Sequence, residues 1–177
     1  MNFEIDQQQR DFAASIDAAL TAADVPTANR AWAAGDTGPG RKIWETLTEL
    51  GAAALVVGEE HDGIGAHPVD LVVALERIGA HCVPGPITES IAVAPILLAA
   101  DERSAALAAG ELIATVASAP QMPRAVDAGF ADLTLVTEGE LTYDGTVGAA
   151  HDSLDPSRKL FDVTASGAGW AADVTAA

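Results

Sequence analysis

The sequence predicts a mainly α fold, in which an N-terminal helical bundle is followed by a small β-domain. Apolar residues recur at helical spacing through residues 1–110. After Gly110 they form short runs bounded by glycine, proline and aspartate, which is typical of strands. A hydrophobic content of 49% over 177 residues is enough for a buried core.

The first helix is predicted by a capping box, in which Gln9 follows Asp6 by three residues. We expect the helix to run to about Ala23 and to stop before Pro26. Its apolar residues recur at every fourth position: Phe12, Ile16 and Leu20.

A second helix is predicted to begin near Arg41, after a loop at residues 34–40 that is rich in glycine and proline. Gly51 can adopt the left-handed conformation that closes a helix. Residues 52–57 then form an apolar link. The apolar face of this helix consists of Ile43, Trp44, Leu47 and Leu50.

Three more helices are predicted before the strands begin. The third starts at Pro68 and ends before Gly79. The fourth, at residues 87–98, is apolar on nearly every side and should be central in the bundle, with a kink or break at Pro95. A short fifth helix occupies residues 101–109.

Short apolar runs predict the strands of the β-domain, and Asp144-Gly145 is a dipeptide typical of a tight turn. Residues 166–177 are expected to form a glycine-rich connector into a helix whose first turn holds Asp173 or Thr175. We therefore predict a helical domain at 1–110, a β-domain at 111–165 and a connector at 166–177. The predicted strands are residues 112–117, 133–137, 141–143 and 160–163.

The charge of the chain argues against several classes of partner. A formal net charge of −17 repels the phosphates of nucleic acids and of anionic membranes. The acidic N-terminus and the lack of an apolar stretch of about 18 residues indicate neither a secretory signal nor a membrane span, so we expect a cytoplasmic protein. Cys82 is the only cysteine, which leaves no disulfide and no CxxC metal site within the chain.

Few residues are candidates for chemistry. His61 and His67 lie near carboxylates, but their loop is broken by glycines and lacks helical ligand spacing, so we predict no metal site. No serine lies in a Gly-x-Ser-x-Gly motif, which argues against a serine hydrolase. The segment at residues 38–42 lacks the Ser or Thr and the preceding strand of a phosphate-binding loop.

The sharpest local feature is the loop Glu59-Glu60-x-Asp62-Gly63-x-Gly65. Its glycines permit a tight path with positive φ, and its carboxylates could cap neighbouring amides. We interpret it as a structural turn and expect neither Glu59 nor Glu60 to be catalytic.

The order of these features resembles the N-terminal helical domain of acyl-CoA dehydrogenases over about residues 3–117. The resemblance rests on the tryptophan-bearing helix that ends in Leu50-Gly51, on the Glu-Glu-x-x-Gly-x-Gly loop, on the helix at residues 71–79 and on Val83-Pro-Gly-Pro86. It implies that the chain continues into a β-domain that contacts a flavin.

That β-domain departs from the family pattern on its flavin side. In the family it usually opens with a Thr-Glu-Pro-Gly-like segment, and here Ser118 matches the Thr and Pro120 the Pro, while Ala119 replaces the Glu. The later Gly-Ser-Asp is missing, and the distance from Pro120 to Asp132 is too short for the usual pair of strands. Residues 153–158 resemble the Asp-x-Thr-Arg element near the end of the domain. The resemblance therefore implies a shortened β-domain, with Ser118 as its one candidate cofactor-binding residue.

The resemblance also implies a function, which is the FAD-dependent α,β-dehydrogenation of an acyl-CoA. The catalytic glutamate of the family lies in a C-terminal helical domain that has no counterpart here, so no catalytic residue is assigned. Abbreviated chains of this kind resemble subunits of heteromeric (α2β2) acyl-CoA dehydrogenases of steroid catabolism, in which a degenerate subunit pairs with a competent homologue. This implies a supporting subunit of a heterotetramer, FAD held mainly by the partner, and an acyl-CoA substrate such as a steroid-derived ester. The alternative is a non-enzymatic assembly or binding module that kept the helical domain and lost the flavin.

Overall fold

Six α-helices form the N-terminal part of the chain, and the computed structural model describes residues 4–172. A 3-10 turn covers Glu59–His61, and a π-helix covers Glu89–Val93. No helix within residues 4–172 is long and apolar enough to span a membrane. The α-helices are α1 (Gln7–Ala22), α2 (Val25–Ala33), α3 (Gly38–Glu49), α4 (Pro68–Ala80), α5 (Ala94–Leu97) and α6 (Arg103–Ala108).

The predicted capping box begins α1. Asp6 Oδ1 accepts a hydrogen bond from the Gln9 amide at 2.8 Å, and the Asp6 amide donates to Gln9 Oε1 at 2.9 Å. Ile16 and Leu20 are buried, as the apolar spacing predicts. Gly51, after the end of α3, has a φ of +85°, which confirms the predicted left-handed closure.

Helix α2 was not predicted from the sequence. It begins immediately after α1, and Pro26 lies in its first turn, where a helix needs no donor from the backbone nitrogen. Asp24 caps it by accepting a hydrogen bond from the Thr27 amide at 3.4 Å. The proline that was expected to end one helix therefore helps to start the next.

Helix α3 begins at Gly38, three residues before the predicted start at Arg41, and Pro39 again lies in the first turn. The earlier start brings Gly40 against the ring of Trp32, where a Cβ atom would overlap the indole. Glycine at this position therefore lets α2 and α3 pack closely.

The predicted fourth helix is divided into two pieces. A π-helix covers Glu89–Val93, and α5 follows with Pro95 in its first turn, so the predicted break at this proline is confirmed. Ser90 joins this segment to the sheet, because its Oγ donates to the Ala114 carbonyl oxygen at 2.7 Å and accepts from the Ala114 amide at 3.0 Å. The predicted central position is also confirmed, since Ile91, Ala94, Leu97 and Leu98 are at most 2% exposed.

Within the described residues, five strands form one mixed sheet: β1 (Ala114–Ser118), β2 (Arg124–Val126), β3 (Leu133–Glu138), β4 (Leu141–Asp152) and β5 (Lys159–Ala171). Their order across the sheet is β1-β3-β4-β5-β2. Strands β1 and β3 are parallel, and the other neighbours are antiparallel. The sheet curls so that β2 returns towards β1, where Thr115 Oγ1 donates to the Val126 carbonyl oxygen at 2.7 Å.

The structure contradicts two predictions in the β-domain. Asp144 and Gly145 lie inside β4 at an irregular point of its pairing with β5, and the turn from β3 to β4 is made at Gly139, whose φ is +61°. Gly145 instead permits close packing on β3, because a Cβ there would lie 2.8 Å from Thr134 Cγ2. The predicted connector is also wrong for residues 166–171, which belong to β5. The expected helix start at Asp173 or Thr175 lies outside the described residues.

The fold is thus an N-terminal helical domain joined to a small sheet. Helices account for more of the described residues than strands, in line with the predicted fold class. The sheet is nevertheless larger than expected, because β4 and β5 reach 12 and 13 residues.

Candidate functional site

A cleft of about 790 Å³ lies between the helical domain and the end of β5. Three segments form it: the 3-10 turn after Gly58, the residues around the end of α5, and residues 170–172. Most of its lining is aliphatic or aromatic, with Glu60, His61, Asp101 and Ser104 as its polar exceptions. A concave and mainly apolar space with few polar groups is typical of a ligand site.

Trp170 forms the wall of this cleft on the side of the sheet. Its indole Nε1 donates a hydrogen bond to the carbonyl oxygen of Leu97 at 3.1 Å, across the junction of the two domains. The Arg103 guanidinium lies over the indole ring, 5.1 Å from the ring centroid. Polar and apolar contacts together fix the position of the tryptophan.

Arg103 joins the start of α6 to β4. It donates to both carboxylate oxygens of Asp101, at 2.8 and 3.0 Å, and to Asp144 Oδ1 at 2.6 Å. The hydrogen bond from Arg103 holds the pKa of Asp101 below its usual range, and the same bond raises the pKa of Arg103. The lowered pKa keeps Asp101 ionised at neutral pH, and its ion pair with Arg103 braces the cleft.

The Glu59–Gly65 loop supplies the opposite wall, and backbone hydrogen bonds hold it. The Gly63 amide donates to the Gly58 carbonyl oxygen at 3.1 Å, and the Gly65 amide donates to that of Val57 at 2.9 Å. A Cβ at Gly63 would overlap the carbonyl oxygen of Val57, so this position requires glycine. The side chains of Glu59 and Glu60 are exposed, and within the described residues neither accepts a hydrogen bond from a backbone amide, so the expected capping role is not observed.

The histidines that could have bound a metal serve separate contacts. His61 Nε2 lies 3.2 Å from the Ala99 carbonyl oxygen, beside the cleft. The amide of His67 donates to Asp70 Oδ2 at 3.0 Å at the start of α4. Across the part of the chain that the structure describes, no group of three or more His, Cys, Asp or Glu could hold a metal ion.

Ser118, the candidate cofactor-binding residue, lies at the end of β1 and not in the cleft. Its Oγ accepts a hydrogen bond from Thr137 Oγ1 at 2.8 Å. The sheet register places Ser118, Thr137, Thr142 and Trp170 side by side on four neighbouring strands, with their side chains on one face. Three strand spacings separate Ser118 from Trp170, or about 14 Å. This row was not expected, because the sequence pattern indicated neither the length of β5 nor its register.

The surroundings of Ser118 fit one polar contact to a flavin. Because its hydroxyl oxygen accepts from Thr137, the hydroxyl hydrogen is free to donate. The backbone around it is already paired, since the Ser118 amide donates to the Met122 carbonyl oxygen at 2.8 Å and the Met122 amide donates back at 2.6 Å. Thr142 Oγ1, in the same row, is buried without a hydrogen-bond partner. Thr137 and Thr142 are buried, at 6% and 0% exposure, so Ser118 has the one hydroxyl of this row that a cofactor could reach.

The segment that resembles Asp-x-Thr-Arg forms the tip between β4 and β5. Asp155 Oδ1 accepts hydrogen bonds from the Ser157 hydroxyl at 2.7 Å and the Ser157 amide at 2.9 Å, which lowers the pKa of Asp155. Arg158 lies near Glu89 of the π-helix. Burial raises the pKa of Glu89, while the Arg158 guanidinium acts in the opposite direction.

A second buried carboxylate, Asp127, joins β2 to β5. It is 3% exposed, and its Oδ1 accepts a hydrogen bond from the Lys159 amide at 2.9 Å. Burial raises the pKa of Asp127 above its ordinary value, although this hydrogen bond acts in the opposite direction. Its position between two strands indicates a structural role.

Residues 6–106 match the sequence model of the acyl-CoA dehydrogenase N-terminal domain. The chain is also 33% identical over 143 residues to the acyl-CoA dehydrogenase IpdE2 of Mycolicibacterium smegmatis; the match covers 78% of this chain and 45% of the relative. The IpdE2 of Mycobacterium tuberculosis is likewise 33% identical, over 76% of this chain and 44% of its own length. The chain thus spans less than half the length of these curated relatives.

Solved structures share the fold at low sequence identity. An acyl-CoA dehydrogenase from Bacillus anthracis, complexed with FAD, superposes with a TM-score of 0.70 at 12% identity, over 95% of this chain and 37% of that one. The ChsE4-ChsE5 complex of Mycobacterium tuberculosis gives a TM-score of 0.67 at 16% identity, over 97% and 56% of the two chains.

Proposed function

The chain belongs to the acyl-CoA dehydrogenase family, and we propose that it is a supporting, non-catalytic subunit of an FAD-dependent enzyme that oxidises an acyl-CoA thioester. The observation that carries this proposal is the contrast between its two parts. Residues 6–106 match the N-terminal domain of the family and one wall of the cleft belongs to them, whereas the chain turns back at the Ser118–Met122 bridge into the three-residue β2. A subunit with this architecture can wall a substrate site without holding a complete flavin site.

The reaction that we propose for the assembled enzyme is α,β-dehydrogenation. A carboxylate base removes the proton next to the thioester carbonyl, and hydride leaves the β-carbon. Bound FAD supplies the hydride acceptor, and we assign both the base and most of the FAD contacts to a homologous partner subunit. Ser118 is the residue of this chain that would donate a hydrogen bond at the edge of the flavin.

The role of the cleft in this proposal is to bind the acyl group and exclude water from it. Its volume of about 790 Å³ lies within the range of drug-sized ligand sites, and its lining is mainly apolar. These properties favour a bulky acyl group, such as that of a steroid-derived CoA ester. The net charge of −17 opposes an unaided hold on the CoA phosphates, so we assign those contacts to the partner as well.

The heteromeric part of the proposal has support from a structural neighbour. A chain with the same fold occurs in the ChsE4-ChsE5 complex, which contains two differently named components. We propose a comparable pairing of this chain with a flavin-bearing homologue, in an α2β2 heterotetramer.

Co-expression tests the proposal. The tagged chain is produced together with a flavin-bearing acyl-CoA dehydrogenase subunit of its source organism, and the purified product is analysed by native mass spectrometry and by dehydrogenation of steroid-derived and straight-chain acyl-CoA esters. We expect a flavin-containing complex that is more active than the partner alone. A stable complex without flavin and without activity would instead favour a non-enzymatic assembly module.

A further inference from the structure

The chain just after α5 is held by side chains that also line the cleft. Three successive carbonyl groups, at residues 97–99, each meet a side-chain hydrogen-bond donor from a different segment. Trp170 Nε1 in β5 lies 3.1 Å from the first oxygen, Ser104 Oγ in α6 lies 2.6 Å from the second, and His61 Nε2 in the 3-10 turn lies 3.2 Å from the third. Carbonyl groups at the end of a helix lack intrahelical partners, so these contacts satisfy them.

The contact with Ala99 fixes the hydrogen-bonding role of each nitrogen of His61. A carbonyl oxygen can only accept, so Nε2 carries the hydrogen of this bond. In the neutral imidazole, the other ring nitrogen, Nδ1, then has no hydrogen and is an acceptor. Within residues 4–172, His61 makes no other hydrogen bond. Because the half-buried His61 lines the cleft, its Nδ1 can accept a hydrogen bond from a ligand there.

The other polar side chains of the cleft are also limited to accepting. The hydrogens of Ser104 and Trp170 are taken by carbonyl groups, and the two further polar lining residues are the carboxylates Glu60 and Asp101. Arg103 is not among the lining residues, and its guanidinium binds carboxylates. Among the described residues that line the cleft, no side chain therefore has a free donor for a ligand.

We propose that His61 is a specificity-determining residue, whose Nδ1 accepts a hydrogen bond from a hydroxyl group on the acyl moiety. The inference rests on the proposed function, because it takes the cleft as the acyl site. A hydroxyl group can donate to Nδ1, whereas a ketone oxygen can only accept and would meet side-chain acceptors in the cleft. A carboxylate is opposed in addition by the charges of Glu60 and Asp101. The substrate class is thus a hydroxylated acyl-CoA ester and not the corresponding ketone or dicarboxylic ester.

Matched CoA esters test the choice of substituent. The assembled enzyme is assayed at about pH 8, which favours neutral imidazole, with pairs of esters of one bulky ring system. Each pair carries a hydroxyl or a ketone at the same ring carbon, and the carbon differs between pairs. We expect kcat/KM to be at least about tenfold higher for the hydroxyl ester in one pair or more, and the methyl ether of that hydroxyl to lose this advantage, since an ether cannot donate. This comparison does not depend on the folding of any variant.

Two replacements of His61 separate the roles of its nitrogens. Glutamine can place an amide near the position of Nε2 and keep the bond to Ala99, but it has no acceptor at the position of Nδ1. Asparagine places an acceptor near Nδ1 and loses the bond to Ala99. We expect the preference for the hydroxyl ester to fall below about threefold in His61→Gln and to persist in His61→Asn. The matched control is His67→Gln, at an exposed position outside the cleft, which should keep the preference.

The outcomes distinguish this inference from the proposed function. If the assembled enzyme oxidises the esters but prefers the hydroxyl in no pair, or if His61→Gln keeps the preference, the role of His61 is wrong while the proposed function stands. If the assembled enzyme oxidises no acyl-CoA ester, the proposed function itself fails.

Discussion

The indole nitrogen of Trp170 donates a hydrogen bond to the carbonyl oxygen of Leu97 at 3.1 Å, which joins the end of β5 to the last residue of α5. Carbonyl groups at the end of a helix lack intrahelical partners, so the tryptophan satisfies a group that would otherwise need water. The same indole walls the cleft. The junction of the two domains and the proposed acyl site therefore share this residue.

Replacing Trp170 by Phe tests this bond. The ring remains, but the donor is lost, and we expect a loss of about 1 to 2 kcal/mol in unfolding free energy. Trp44→Phe is the matched comparison, because Trp44 Nε1 donates to the Gly110 carbonyl oxygen at 2.9 Å within the helical domain. Urea unfolding measures both variants. If only Trp170→Phe also weakens binding of the acyl-CoA to the assembled enzyme, the residue has the second role that we assign to it.

The turn after Gly58 can be tested with two glycines. Gly63→Ala should destabilise the chain by on the order of 3 kcal/mol, because the new Cβ would overlap the Val57 carbonyl oxygen. Gly79→Ala in α4 is the control, since no atom lies within 4 Å of its Cβ position, and it should stabilise the helix by about 0.5 to 1 kcal/mol. Thermal unfolding ranks the unmodified chain and the two variants by stability, with Gly79→Ala highest and Gly63→Ala lowest. Equal melting temperatures would show that the turn is looser than the structure indicates.

Glu59→Gln and Glu60→Gln should change little. Both side chains are exposed, so we expect shifts within about 0.5 kcal/mol in stability and no loss of turnover in the assembled enzyme. Steady-state kinetics and unfolding of each variant check this. A drop in turnover of several orders of magnitude at unchanged stability would make one of them catalytic, against our interpretation.

Two carboxylates should respond to pH in opposite directions. Burial raises the pKa of Asp127, so the folded state holds its proton more tightly than the unfolded chain does, and stability falls as pH rises through the unfolded value of about 3.9 towards the folded one. The Arg103 hydrogen bond lowers the pKa of Asp101, so the stability that Asp101 contributes is present above about pH 3.9 and is lost as pH falls.

Urea unfolding at pH 4 and pH 7 separates the two effects. Relative to the unmodified chain, Asp127→Asn should gain stability as pH rises, and Asp101→Asn should lose it. If the unfolding free energies of the two variants instead change with pH in the same direction, the direction of the pKa shift is wrong for at least one of the two carboxylates.

Local sequence signals predicted the helical domain well. The capping box at Asp6 and the closure at Gly51 are both local, and the structure shows each of them. Helix α2 was missed because a proline can either follow the end of one helix or lie in the first turn of the next. Here the gap between α1 and α2 is only Ala23 and Asp24.

The sheet was harder to predict for a physical reason. Residues 145–150 and 163–169 are uncharged and mostly small, so they carry no alternation of polar and apolar side chains that would reveal a strand. Asp144-Gly145 has the composition of a turn, but Gly145 lies inside a strand, where a Cβ atom would collide with Thr134. The row from Ser118 to Trp170 depends on strand register, which is set by partners that lie far away in the sequence.

Flavin absorbance is the most direct test of the central claim, measured on the purified chain by itself and on its complex with the flavin-bearing homologue. We expect the chain alone to carry little or no FAD and to oxidise no acyl-CoA, and the complex to be yellow and active. Stoichiometric FAD on the isolated chain, together with acyl-CoA oxidation by it as a monomer, would contradict the supporting role that we propose.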